Sequence, residues 1–410
     1  MKYWKKLSHA EQDERISAAL TDTIDYKQKI SLGVPASKLD PLVFYEQASF
    51  LKEAPWLRTY VQNPNHIGCH TMGESEEFFR GTQNIEREVI ELLCVDLFKA
   101  PEQSCDGYIA AGGTEANIQA IWIYRNYFIS KHGAKHTEIA IISSSDTHYS
   151  IAKAANLLHI NWYPVVVDET TRNISAEAIN ETLDTAIANG VKYFIVISNM
   201  ATTMFGSVDD PDLYADCLAK RELEFKLHVD GAFGGFIYPF SRPDSNVNFA
   251  NPHVSSITLD AHKMLQAPYG TGIFLARKGL MPFVYTNEAS YVHGMDITLS
   301  GSRGGANAIA IWMILFTYGP YGWQEKINRL LYRTEVFCKQ LTAAGIGFYR
   351  HPNLNIVTIH AKHVSPILAR KYGVVPDNHD NPQWCKVVVM DHVELDQLED
   401  FVHDLTKAMN

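Results

Sequence analysis

Residues 193–230 read YFIVISNMATTMFGSVDDPDLYADCLAKRELEFKLHVD. Tyr193–Ser198 is a near-continuous apolar run, Pro211–Arg221 reads as a helix, and Phe225–Val229 is a second apolar run ending on a carboxylate, Asp230. Strands that are apolar throughout and alternate with helices predict a mostly parallel sheet covered on both faces. The alternation extends in both directions. Glu138–Ser143 and Trp162–Val167 are upstream strands, each followed by a helix (His148–Leu158 and Ile174–Asn189), and Ser256–Leu259 and Gly272–Ala276 are strands downstream. The class is α/β. From Gly304 the pattern changes to helices over Ala306–Thr317 and Gln324–Ala344, strands Asn355–His360 and Lys386–Met390, and a last helix Leu395–Met409, which together predict a smaller α+β lobe. Upstream, Asn84–Phe98 has helical spacing, and 9–30 predicts a polar amphipathic helix. Residues 31–80, broken by Pro35, Pro41, Pro55 and Pro64, predict an irregular arm lying across the body or a partner subunit. The expected division is an N-terminal arm (1–80), a large domain (81–303) and a small C-terminal domain (304–410).

Composition narrows the function. The 410 residues carry a net charge of −10, against the basic surface of a nucleic-acid binder. The longest strongly apolar run, Ala308–Phe316, is far shorter than the roughly 20 residues of a membrane helix. The opening Met-Lys-Tyr-Trp-Lys-Lys leads into no apolar h-region, so no secretory signal is expected. Six cysteines, at 69, 94, 105, 217, 338 and 385, form no C-x-x-C pair. Neither a disulfide framework nor a zinc site is expected, and the compartment expected is the cytoplasm.

Four segments carry chemistry. Thr258-Leu-Asp-Ala-His262-Lys263-Met closes an apolar strand on a lysine. A buried amine is costly unless it is used, and a desolvated lysine forms Schiff bases with aldehydes. His228-Val-Asp230-Gly-Ala232-Phe-Gly-Gly lies upstream, so neighbouring parallel strands could bring a carboxylate and an amine to one sheet edge, where α/β ligands bind. An aspartate against a pyridine nitrogen keeps the ring protonated as an electron sink, and Ala232 is small enough to let a ring lie flat. Ala111-Gly112-Gly113-Thr114-Glu-Ala-Asn117 precedes a helix (Ile118–Phe128) and offers backbone N–H groups to a phosphate. Ser145-Asp-Thr-His148-Tyr-Ser puts an imidazole between a strand and a helix, where it could stack on a flat ring. A phosphate cradle, a stacking histidine, a pyridinium partner and a Schiff-base lysine, in that order, are what pyridoxal 5'-phosphate needs. Each segment alone has a plainer reading: a surface lysine, a helix-capping aspartate, a Gly-Gly turn, a structural histidine.

GGTEAN, DTHYS, HVDGAFGG, DAHK and GSRGG, in that order and spacing, resemble the group II pyridoxal-phosphate decarboxylases from about residue 80 to the C-terminus. That family includes bacterial histidine, plant serine and archaeal tyrosine/aspartate decarboxylases and, more distantly, the glutamate and aromatic amino-acid enzymes. The resemblance implies a fold-type-I (aspartate aminotransferase-like) subunit with a seven-stranded large domain, and a homodimer with active sites at the interface. It implies Lys263 as the cofactor-bearing lysine, Asp230 as the pyridine-nitrogen partner and His148 as the stacking histidine. Gly113, Thr114 and His262 are then phosphate contacts, Ala232 lies beneath the ring, and Thr203 flanks the cofactor. Tyr291, in Ser290-Tyr-Val-His-Gly, matches a mobile loop whose tyrosine protonates the reaction intermediate, with His293 as its alternative. Ser302 and Arg303 fall where the family reaches into the neighbouring site. His66, His70 and Thr71 lie where pocket residues arise, and His70 and Arg303 are the candidate substrate contacts.

The implied reaction is decarboxylation of an L-amino acid, with the α-carboxylate held out of the ring plane in a water-poor setting and the carbanion protonated at Cα. A carbon–carbon lyase or an aminotransferase on the same fold is the first alternative, and a non-catalytic cofactor-binding regulator a remote one. The substrate is left open among amino acids. Length and motif spacing look closest to the histidine-type enzymes.

Overall fold

The computed structural model describes residues 1–22, 73, 77–285 and 295–409. In chain order the elements are α1 (His9–Thr21), α2 (Arg80–Leu92), β1 (Cys105–Ala110), α3 (Gly113–His132), β2 (Ile139–Ser144), α4 (Ser150–Leu158), β3 (Asn161–Val165), α5 (Ala176–Ala188), β4 (Tyr193–Asn199), α6 (Pro211–Ala219), β5 (Glu224–Asp230), β6 (Val254–Asp260), β7 (Gly272–Arg277), α7 (Gly305–Ala343), β8 (Phe348–Tyr349), β9 (Ile356–His360), α8 (Pro366–Tyr372), β10 (Val375–Pro376), β11 (Trp384–Val388) and α9 (Leu395–Met409). One sheet has seven strands in the order β1-β7-β6-β5-β4-β2-β3; the other has four, in the order β10-β11-β9-β8. Strands β3, β2, β4, β5 and β6 run parallel, whereas β1 is antiparallel to β7. The small sheet is antiparallel. This is the mostly parallel α/β sheet with a smaller C-terminal α+β part that the apolar alternation predicts.

The chain divides into two compact units, Met1–Ser130 with Asp260–Pro320, and Lys131–Leu259 with Tyr321–Asn410. In the second, β2 is buried along its whole length and β4 along all but Tyr193. That is why these strands are apolar without a polar face. Helix starts follow side-chain caps: Ser175 accepts the Ala178 N–H before α5, and Asp210 accepts the Asp212 N–H before α6, which opens on Pro211. The small sheet packs on the end of α7 and on α9 through Phe337, Leu341, Val357, Ile359, Leu398 and Phe401. Each such side chain removed from water contributes about 1.5–3 kcal/mol before conformational entropy is counted.

In the first unit, the antiparallel pair β1/β7 is a strand pair that the apolar pattern does not announce. Cys105-Asp-Gly-Tyr carries two strand breakers, yet a Cβ on Gly107 would lie 2.2 Å from the Phe274 carbonyl oxygen, so close strand approach demands glycine there. The two helices expected over 306–344 lie within Gly305–Ala343 and are separated at Gly319, which has φ 61° and ψ 179° and is followed by Pro320. A Cβ on Gly319 would lie 2.7 Å from the Lys6 nitrogen, where the N-terminal segment crosses. Trp4 anchors that segment, its indole donating to the Leu315 carbonyl at 2.8 Å. The helix expected over 9–30 is described from His9 to Thr21, and the one expected over 84–98 begins earlier, at Arg80, and passes into a π-turn over Leu93–Leu97. Among the described residues, no helix is long and apolar enough to cross a membrane.

Candidate active site

The parallel strands β2, β4 and β5 of the second unit end at one sheet edge, the edge at which α/β proteins bind ligands. The loop after β2 carries His148. Its Nδ1 accepts the Ser150 N–H at 3.3 Å and lies 2.9 Å from the Ser150 hydroxyl. An Nδ1 that accepts places the proton of the neutral ring on Nε2. Asp146, two residues earlier, is forked by Arg172, with Nη2 2.7 Å from Oδ1 and Nε 3.0 Å from Oδ2. The same guanidinium stacks 3.7 Å from the ring centroid of Phe205. Arg172 therefore ties the His148 loop to the ATTMFG loop after β4. There Thr203 is exposed, and its carbonyl accepts from the Lys386 ammonium at 3.0 Å. At the end of β4, Asn199 donates its N–H and its Nδ2 to one oxygen of Asp209 at 2.9 and 2.7 Å and accepts the Thr147 hydroxyl at 2.9 Å. Burial pushes the Asp209 carboxyl up to about 6, against the pull of those hydrogen bonds.

Asp230 ends β5, is 6% exposed, and accepts the Ala232 N–H at 3.1 Å. Ala232 is half-buried. His228 lies two residues back on the same strand face, fully buried, with Nδ1 2.6 Å from the Ser256 hydroxyl and Nε2 3.0 Å from that of Thr258. Burial pulls its pKa down to about 4, opposed by the Asp230 charge, so the ring is neutral at neutral pH.

In the first unit, β6 ends on Asp260 and the chain turns through His262 and Lys263. The Lys263 ammonium lies 2.9 Å from Asp260 Oδ2, on a side chain 35% exposed. Asp260 Oδ1 accepts the Gly113 N–H at 2.6 Å, at the start of α3. Thr114 follows in the first turn, half-buried. The His262 ring sits beside Gly112, where a Cβ would lie 3.8 Å from its Cε1. Its Nε2 is 3.6 Å from Asp260, its pKa is lowered by burial against the Asp260 charge, and its buried Nδ1 has no hydrogen-bond partner among the described residues. A buried imidazole nitrogen without a partner, beside a glycine-opened helix N-terminus and an amine, fits a ligand that brings both an anionic group and an aldehyde. The donor set fits pyridoxal phosphate.

Ser302 is exposed. Arg303 is buried in an ion pair with Glu86, donates to the Ile109 carbonyl at 3.2 Å, and stacks 5.0 Å from the Tyr108 ring centroid. Glu86 also accepts the Ile109 N–H at 2.7 Å, so the Arg303 guanidinium is engaged inside its own unit. Tyr291, His293, His66, His70 and Thr71 lie outside the described residues. Asp260, Arg172 and the Asn199–Asp209 pair were not anticipated. Asp260 had a signal, an acid three residues before the lysine; the other two become neighbours only in the fold.

The family model "Pyridoxal-dependent decarboxylase conserved domain" matches residues 81–353. The chain is 54% identical over 409 residues to a tryptophan decarboxylase of Clostridium sporogenes, covering 99% of this chain and 98% of that protein. It is 28% identical to the histidine decarboxylase of Vibrio anguillarum, covering 83% and 85%. The similarity to the histidine-type enzymes that length and spacing suggest is thus exceeded by that to a tryptophan enzyme. Among solved structures, L-methionine decarboxylase from Streptomyces sp. 590 shares the fold, with a TM-score of 0.74 at 19% identity, covering 97% of this chain and 94% of that one. The chain belongs to the pyridoxal-dependent decarboxylase family and is a pyridoxal-phosphate-dependent amino-acid decarboxylase.

Proposed function

We propose that the substrate is L-tryptophan and the products tryptamine and carbon dioxide. The observation that carries this reading is the 54% identity, along essentially the whole of both chains, to a tryptophan decarboxylase. In this reading Lys263 would hold the cofactor through its aldehyde. Thr114 and His262 would hold the phosphate beside the start of α3, with Gly113 opening the cradle. His148, Ala232 and Thr203 would help to hold the cofactor ring, and the Asp230 carboxylate would keep its pyridine nitrogen protonated. Pyridoxal phosphate supplies, when bound, the ring that accepts the electrons of the broken Cα–carboxylate bond. Tyr291, with His293 as its alternative, delivers the proton to Cα. A water-poor setting for the carboxylate favours its departure as neutral carbon dioxide. His70 and Arg303 are the candidate substrate contacts, although the buried Glu86 pair favours a structural role for Arg303.

The proposed assembly is a cytoplasmic homodimer with Ser302 reaching the neighbouring subunit's site, and domains divided at 80 and 303. A panel of L-amino acids assayed for carbon dioxide release tests the substrate. Tryptophan should give the highest kcat/KM, with tryptamine equimolar to carbon dioxide. A tenfold preference for histidine or an acidic amino acid would overturn the assignment.

A further inference from the structure

We propose that Asp260 is a positioning residue that joins the phosphate cradle to the Schiff-base lysine, one oxygen capping α3 at Gly113 and the other holding the Lys263 ammonium. The inference rests on the reading of Lys263 as the cofactor-bearing lysine. Its geometry lies within one unit. Asp260 is 3% exposed and contacts Gly113 N–H at 2.6 Å and Lys263 Nζ at 2.9 Å, through different oxygens. The Gly113 N–H bond satisfies one of the orphan amides at the start of α3, which runs from Gly113 to His132. That carboxylate comes from a distant strand end and is continuous with the turn that carries the lysine.

Two consequences follow from the chemistry. The Gly113 N–H already donates to Asp260, so Thr114 and His262 would carry the hold on the cofactor phosphate. The Lys263 amine must also leave its carboxylate before its lone pair can attack an aldehyde. Asp260 thus keeps the turn and the helix start in register while the lysine goes back and forth between carboxylate and cofactor.

Asp260→Asn separates the two roles, because the amide oxygen still accepts from Gly113 but no charge holds the ammonium. The probe is pyridoxal, which has the aldehyde but no phosphate, offered to the full-length chain stripped of cofactor and trapped with borohydride. Peptide mapping then reports the rate of labelling at Lys263. Asp260→Asn should label about fivefold faster than wild type at neutral pH, the scale of a partly exposed ion pair, with an unchanged thermal midpoint. Asp260→Ala should label faster too, but with a thermal midpoint lowered by several degrees through loss of the cap. Equal or slower labelling of Asp260→Asn would overturn the positioning role. Wild-type label on a different lysine would instead overturn the reading of Lys263, and this inference with it.

Discussion

The end of β5 and the turn after β6 carry the two groups on which the proposed chemistry depends, and they are built in opposite ways. Asp230 closes a strand, is almost fully buried, and stands on a supporting row of His228, Ser256 and Thr258. Lys263 lies three residues past its strand, in a turn, about one-third exposed, with a carboxylate holding its ammonium. A carboxylate that keeps a proton on a ring nitrogen must not move; a lysine that exchanges with a substrate amine must. Burial and hydrogen bonding supply the first, and a turn with an ion pair supplies the second.

Changes at the movable end should have the largest effect. Lys263→Ala should reduce turnover by roughly 10⁴-fold or more while leaving the thermal midpoint near that of wild type, since the charge removed is partly exposed. Calorimetry beside a carbon dioxide assay checks both halves; unfolding would mean that Lys263 is part of the structure. At the fixed end, Asp230→Asn should slow kcat by about 10³-fold and weaken cofactor affinity far less, because the stacking and phosphate contacts stay. A variant within tenfold of wild type would remove Asp230 from the mechanism.

Tyr291 should give a smaller effect of a different kind. Tyr291→Phe should cost about 10²-fold in amine formation and raise the share of carbonyl side products, because carbon–carboxylate cleavage proceeds while proton delivery to Cα is slow. Product ratios by chromatography measure this. An unchanged ratio and rate would transfer the role to His293 or to water.

The smallest effect concerns the support beneath Asp230. The pKa of His228 is depressed from 6.5 to about 4, so the folded state binds this proton less readily than the unfolded state. The stability it contributes is present above pH 6.5 and is lost as the pH falls towards 4, on a scale of about 3 kcal/mol at most. Asp209, raised from 3.8 to about 6, acts in the opposite direction between those values, since its protonation relieves a buried charge. His228→Asn should therefore flatten the fall in thermal midpoint between pH 7 and pH 4.5. An identical profile in the variant would mean that another group, such as His351, carries the acid sensitivity.

Strands β2 and β4 were legible because buried strands are near-continuously apolar, as Ile139–Ile142 and Tyr193–Ile197 are. β1 was not, because Asp106 interrupts its apolar pattern and Gly107 answers to a close approach by β7. β8 and β10, two residues each, are too short to carry a period. His148, Asp230 and Lys263 could be singled out because each sits in a motif next to a strand end. Arg172 was not, because the residues it holds, Asp146 and Phe205, are some thirty positions away on either side and meet only across the sheet edge. The choice between histidine and tryptophan was closed to motif reading for a related reason: the motifs bind the cofactor, which all these substrates share.

The contrast between a fixed carboxylate and a movable lysine is tested most directly by reducing the holoenzyme with borohydride and mapping the labelled peptide. The account predicts a single pyridoxyl group on Lys263, and loss of the label when L-tryptophan is present at saturation before reduction, as the substrate amine displaces the lysine. A label on any other lysine, or one on Lys263 that saturating tryptophan leaves untouched, would contradict it.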